Sequence, residues 1–450
     1  MNYKIINATI VNEGNIFKGT VYIKDGIIAD IISLGNETDS DINTNDFIEI
    51  NAEGKHLLPG VIDDQVHFRE PGLTNKGEIY TESKAAVAGG ITSYMEMPNT
   101  VPQTLTQELL EEKYQLAKEK SLANYSFYMG VSNDNAAEVL KTNTKNVCGI
   151  KIFLGASTGN MLVNKLATIE EIFSKTKMLI AVHCEEESIV KSNTELYKAK
   201  YGEDIPFEAH SAIRSREACY TSSYFAVQLA KKHNTRLHLF HLSTSDEMNL
   251  LDNTIPIEEK HITAEVCVHH LWFSNKDYEE KGAFIKWNPS IKTEEDREAL
   301  FNAVLNGKID VIATDHAPHT IEEKQNKYLS APSGGPLVQH SLVAMLDFQH
   351  HYKITLEKII EMMCHNPARL FRIDKRGYIR KGYHADLVLV DLNSPWKVDK
   401  SNILYKCGWS PFEGHTFLSK ITHTFVNGNL VYNNGTFNES SRGERLTFNV

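Results

Sequence analysis

The chain has 450 residues, 41% hydrophobic and 23% charged, with 58 Asp plus Glu against 47 Lys plus Arg for a net charge of −11. That length predicts one large domain with an appendage, or two or three medium ones, because single cores stop growing near about 250–300 residues. An acidic balance without a Lys/Arg block argues against nucleic acid or a membrane surface as the main partner, and no apolar run approaches the roughly 20 residues of a membrane span.

The start, MNYKIINATI, lacks the basic, apolar and small-residue regions of a signal peptide, so a cytoplasmic location is expected. The first 55 residues alternate apolar and polar around an Asp25-Gly26 turn, which predicts hairpins of a half-buried antiparallel sheet. After them, short apolar runs alternate with helix-length amphipathic segments, the pattern of βα units around a parallel sheet. Eight such runs fall at 61–62 leading into Asp63, 91–97, 125–131, 149–154, 178–182, 236–240, 261–266 and 309–314. Eight strands with interleaved helices predict a (βα)8 barrel. Residues 385–392 and 416–437 are strand-like again, with a second turn at Asn427-Gly428, while 396–415 carries no assignment. A small β domain from 1–55 together with 380–450 is therefore expected beside a barrel over 56–379. The six cysteines are scattered with no C-x-x-C pair, which predicts reduced, mostly buried thiols.

His67, Asn99, Lys151, His183, His241 and Asp315 each fall at or just past the end of a run, the rim where barrels carry active sites. In PGVIDDQVHFREPG (59–72) a strand delivers His67 and Arg69 on one face, where one can bind a metal and the other grip an anion. His183 closes MLIAVH, His241 closes LHLFH and Asp315 follows VIAT. Imidazole and carboxylate suit zinc or a related divalent ion. Lys151 in GIKIFLG has two readings: a lysine snorkelling to the rim, or one neutralised by CO2 to a carbamate whose oxygens bridge two metal ions.

The segments PGVIDDQVHFREPG, MEMPNT (95–100), GIKIFLG (149–155), AVHCE (181–185), HLS (241–243), ATDHAPHT (313–320) and SPFEGHTF (410–417) together resemble the amidohydrolase superfamily and, within it, the dihydroorotases. The resemblance spans 59–417 and implies a distorted (βα)8 TIM-like barrel with a small β-sandwich domain built from both chain ends. It implies that His67, Lys151 and Asp315 hold one divalent ion and that Lys151, His183 and His241 hold a second. Zinc is the expected metal, with carboxylated Lys151 and a hydroxide as bridges. The implied reaction is reversible hydrolysis of dihydroorotate to N-carbamoyl-aspartate in pyrimidine biosynthesis, with Asp315 as general base. Arg69, Asn99 and His319 would hold the substrate carboxylate, with Asn288 in KWNPS a further contact. Gly334 lies in PSGGP (332–336), read either as a loop closing over the ring or as a surface turn.

One position departs from the family pattern, because Gln65 stands where the first His of a His-x-His pair is usual. Whether one or two ions bind stays open, with Gln65 itself, Asp63 or Asp64 as substitutes for the missing ligand. Glu265 in ITAEVCVHH is read either as supporting a His ligand or as a ligand, and His269-His270 as structural. The competing readings are another cyclic amidase, in the manner of a dihydropyrimidinase or allantoinase, and an inert structural partner of aspartate transcarbamoylase. Self-association into a homodimer and association with aspartate transcarbamoylase are both left open.

Overall fold

A computed structural model describes residues 1–35, 45–155, 161–351 and 353–449. The amino-terminal strands are β1 (Asn2–Asn12), β2 (Asn15–Lys24), β3 (Ile27–Ser33), β4 (Phe47–Asn51) and β5 (His56–Pro59). β1, β2 and β3 pair antiparallel, and the β2–β3 turn holds Asp25 at φ +50° and Gly26 at φ +82°. Two left-handed central residues are what a two-residue hairpin needs to match the strand twist.

The barrel strands follow: β6 (Val61–Val66), β7 (Ile91–Glu96), β8 (Asn124–Phe127) with its continuation β9 (Met129–Gly130), β10 (Ile150–Phe153), β11 (Ile180–His183), β12 (Leu237–Leu239), β13 (Ile262–Cys267) and β14 (Val311–Ala313). All eight expected runs are strands, and every pairing among them is parallel. The chain itself joins β8 to β9 through Tyr128, and a parallel bridge from Val66 to His316 links β6 to the segment after β14, closing the circle. The first strand extends four residues beyond the expected run, through Asp63, Asp64 and Gln65, which are polar yet buried.

Strand alternation explains how the site is supplied. Ile150, Ile152, Ile180 and Val182 enter one apolar core with Ile172, Phe173, Ala226 and Leu300 from the surrounding helices. Their neighbours Lys151, Phe153 and His183 therefore face inward, toward the cleft described below. The helices carry their own stop and start signals. In Arg216–His233, the Ser215 side chain accepts from the Ala218 amide, Lys231, Lys232 and His233 sit at the negative end of the dipole, and left-handed Asn234 ends the helix.

The remaining strands are β15 (Leu387–Asp391), β16 (Trp396–Lys397), β17 (Thr416–Phe417), β18 (Lys420–Val426), β19 (Asn429–Asn433) and β20 (Thr436–Phe437). Both chain ends meet in one nine-stranded, mostly antiparallel sheet ordered β20-β19-β18-β15-β5-β1-β2-β3, with β4 paired to β1, the arrangement of a small β-sandwich. β16 and β17 form a separate ladder bracketing the segment left unassigned from sequence. All six cysteines are buried thiols. Among the described residues, no helix is long and apolar enough to cross a membrane.

Candidate active site

A cleft of about 470 Å³ lies where the carboxyl ends of the barrel strands converge, and it gathers Gln65, His67, Arg69, Asn99, Lys151, His183, His241, Asn288, Asp315, His319 and Gly334. Glu265 does not line it. Its Oε1 lies underneath, accepting the His241 backbone N–H at 3.1 Å and the Cys267 thiol at 3.7 Å.

Two pairs of ligand-type atoms face each other: His183 Nδ1 is 2.9 Å from His241 Nε2, and His67 Nε2 is 3.2 Å from Asp315 Oδ1. Burial lowers the pKa of all three imidazoles, that of His241 furthest, so their ring nitrogens are neutral donors at neutral pH. Each ring is oriented from behind. Asn99 Oδ1 is 2.9 Å from His67 Nδ1, which leaves Nε2 to face Asp315. His183 Nε2 is 3.0 Å from Glu185 Oε2, and Glu185 is in turn gripped by Arg214. Burial alone would raise the Glu185 carboxyl, but Arg214 and His183 outweigh it and bring the pKa down to about 2. Glu96 supports the opposite wall, since its Oε1 accepts the Phe68 amide at 3.1 Å, between His67 and Arg69, while Lys113 pairs with its other oxygen at 3.0 Å.

Lys151 lies inside β10 and is buried, with no hydrogen-bond partner for Nζ, so it does not snorkel to the rim. Burial depresses its pKa to about 7 against the opposing pull of Glu265 and Asp315. These residues fit a divalent ion. Metal–nitrogen bonds of about 2.0–2.1 Å place two ligands on one ion about 3 Å apart, the spacing of the His183 and His241 nitrogens. His241 Nδ1 and Lys151 Nζ are buried without partners, and a carbamate on Lys151 would add two anionic oxygens beside them.

The missing histidine is not replaced by either neighbouring aspartate. Asp63 is committed to closing the barrel, because Thr314 Oγ1 donates to its Oδ2 at 2.6 Å and burial lifts its pKa to about 7. Asp64 also stays out of the cleft, beside His238 at 3.2 Å. A break in the β6–β7 register between Asp63 and Val66 marks a bulge in this strand. Of the three substitutes only Gln65 lines the cleft, where its Oε1 receives the Cys267 thiol at 3.7 Å.

The opposite wall is cationic. Arg69 Nε donates to Pro318 O at 3.0 Å, and its Nη2 lies 3.0 Å from His319 Nε2. Lys76 Nζ is 3.2 Å from His319 Nδ1 and 2.8 Å from Glu323. Burial, with Arg69 next to it, keeps His319 neutral, well below its ordinary pKa. Asn288 Oδ1 is buried without a partner. Pro332, Ser333 and Gly334 form part of the wall, and Lys324 Nζ pins this loop by donating to Pro332 O at 2.9 Å and Gly334 O at 2.7 Å. Gly334 sits at φ +126°, and a Cβ there would come within 2.5 Å of Ala317 O. Arg69, His241 and Asp315 adopt left-handed φ of +69°, +40° and +46°, a strain that folds tolerate at functional sites.

Sequence reading missed Lys76, Phe153 and Trp287 in the lining, and the supporting roles of Glu185, Glu96 and Arg214. A legible sign existed for Glu185, a carboxylate two residues after a strand-end histidine. None existed for Arg214, which arrives from a distant helix end.

The chain matches the Amidohydrolase family over residues 56–431. It is 32% identical to a dihydroorotase of Methanosarcina acetivorans over 98% of this chain and 94% of that one. It is 30% identical to an allantoinase of Bacillus velezensis over 97% and 95% of the two chains. The solved L-hydantoinase (dihydropyrimidinase) of Arthrobacter aurescens shares its fold with a TM-score of 0.90 at 28% identity, over 97% of each chain.

Proposed function

The chain belongs to the amidohydrolase family and is a hydrolase acting on cyclic amides; from that premise we propose that its reaction is the reversible hydrolysis of dihydroorotate to N-carbamoyl-L-aspartate, in pyrimidine biosynthesis. The observation that carries this choice is the wall opposite the nitrogen ligands, where Arg69 and His319 stand 3.0 Å apart. An anionic ring suits a guanidinium; a neutral hydantoin offers it carbonyl acceptors but no charge to pair with.

Enzymes of this family are generally metal-dependent. In this proposal His67, Lys151 as its carbamate, His183, His241 and Asp315 hold divalent metal, with zinc as the metal of choice for such donors. When bound, it lowers the pKa of water and polarises the scissile carbonyl. The carbamate forms when the neutral Lys151 amine adds to CO2 and releases a proton. Arg69 binds the ring carboxylate through guanidinium hydrogens not used by Pro318, together with the Asn99 amide nitrogen and His319. Asn288 Oδ1 accepts from a ring N–H. Asp315 takes a proton from the attacking water and returns it to the departing ring nitrogen as the C–N bond breaks. Glu265 positions His241 through the backbone.

The test is ring opening of L-dihydroorotate by purified protein, with metal counted on the same sample. Turnover with metal bound is expected. Full metal with turnover only of neutral hydantoins or allantoin would overturn the assignment.

A further inference from the structure

Beneath the cleft, inside the barrel, Asp64 of β6, His238 of β12 and Glu265 of β13 converge with no exposed surface at all. His238 Nε2 is 3.2 Å from Asp64 Oδ2 and 3.5 Å from Glu265 Oε2. Yet His238 Nε2, both carboxylate oxygens of Asp64 and Glu265 Oε2 complete no hydrogen bond.

The other side of the imidazole explains why. Thr263 Oγ1 lies 2.9 Å from His238 Nδ1 and donates its own hydrogen to Leu237 O at 3.3 Å. The hydroxyl oxygen is thus left to accept from Nδ1–H, and Nε2 is the ring atom turned toward the two carboxylates. These groups face one another in a dry interior, which requires a proton or a cation among them. Without a cation, Asp64 and Glu265 hold a proton on the imidazole, raising its pKa to about 9 against burial, and burial beside Asp64 raises the Glu265 carboxyl as well. A divalent cation on one neutral imidazole and two carboxylates brings the total to zero.

We propose that Asp64, His238 and Glu265 bind a further divalent cation, of the zinc or manganese class, distinct from any ion in the cleft above. The donor atoms all lie within 4.8 Å of one another, and an ion with bonds of about 2.0–2.2 Å draws such atoms together by small side-chain movements. One nitrogen and two carboxylates suit these borderline metals. Thr263 fixes the imidazole tautomer as outer partners of metal-bound histidines do. The site is one side-chain layer under the cleft, because the Cys267 thiol touches both Gln65 Oε1 and Glu265 Oε1 at 3.7 Å. Asp64 and Gln65 are adjacent in the bulged strand, so the residue that weakens the upper site sits beside a ligand of the lower one. The inference stands on groups outside the cleft and does not depend on which cyclic amide is cleaved.

Crystals of the full chain soaked with Zn2+ and measured at the zinc edge test it directly. An anomalous peak bounded by Asp64, His238 and Glu265 is expected. In parallel, zinc per chain is counted after loading and desalting for the wild type, Asp64→Asn and His238→Gln, with circular dichroism to establish folding. Each variant should hold one ion fewer while keeping zinc at His183 and His241. No peak among the three side chains, with equal zinc in wild type and Asp64→Asn, would overturn the site and leave shared protons as its means of neutralisation. Should the variants fail to fold, the soaked wild-type crystal decides alone.

Discussion

The Nζ of Lys151 lies 4.1 Å from the centre of the Phe240 ring, with the Phe153 ring at 4.8 Å and no hydrogen-bond partner. A desolvated cation–π contact is worth about 2 kcal/mol, less than the several kcal/mol cost of burying an unpaired ammonium. Burial therefore brings the amine's pKa down to about 7, well below that of an ordinary lysine. Aromatic walls in place of acceptors favour the neutral amine that the proposed carbamate requires.

Lys151→Ala should lose bound metal and activity together, with short carboxylic acids restoring part of both. Full metal content in that variant would remove the bridging role. Only the neutral amine attacks CO2, so at a fixed concentration of dissolved CO2 metal-stripped wild type given Zn2+ should recover activity faster at pH 8 than at pH 6. A recovery rate independent of pH would contradict this.

Arg69→Met and His319→Ala should each raise KM for dihydroorotate by about 10–150-fold, the equivalent of about 1.5–3 kcal/mol for a hydrogen bond to a charged group. Turnover of a neutral hydantoin should be spared. Steady-state kinetics on both substrates separate the cases, and equal losses on the two would sink the anion-wall assignment.

Glu185 and Arg214 do not themselves line the cleft, yet they fix the His183 ring. Glu185→Gln is expected to weaken metal binding by about 10–100-fold, the usual effect of removing an outer partner of a metal ligand. Competition with a chromogenic chelator measures it, and unchanged affinity would show that packing alone orients the ring.

His340 is buried, with Nδ1 3.0 Å from the Tyr405 hydroxyl and Nε2 unpartnered, and burial pushes its pKa down to about 3. In the unfolded chain an ordinary histidine titrates near about 6.5, so the unfolded state binds the proton first. The stability from this group is complete above that value and is lost as pH falls from about 6.5 toward 3, by up to about 1.4 kcal/mol per pH unit. His340→Gln should be less stable than wild type at pH 8, with the gap narrowing by pH 5 in urea midpoints. Parallel curves would show that His340 does not contribute to acid sensitivity.

What the sequence determined is local and periodic. Apolar runs of a few residues, spaced by amphipathic stretches, specify strands that alternate with helices, and the residues after each run must reach the same rim. That is why His67, His183, His241 and Asp315 could be chosen as a set without knowing which strands touch. The turns at Asp25-Gly26 and Asn427-Gly428 were legible for the same reason, since a left-handed two-residue turn depends on little beyond those two residues.

Tertiary structure decided what each polar group meets. Asp63, Asp64 and Gln65 lie beyond the apolar run at 61–62, and β6 carries them buried because Thr314, His238 and Cys267, contributed by the far strands and the β14 end, receive their side chains. Asn99, which the resemblance casts as a substrate contact, also orients His67. Arg214 reaches Glu185 from the end of the short helix His210–Ile213, which follows the helix Glu187–Tyr201 in the chain. These pairings join residues tens to hundreds of positions apart, and burial makes each one necessary, because a polar group removed from water must find its partner wherever the closed barrel brings one.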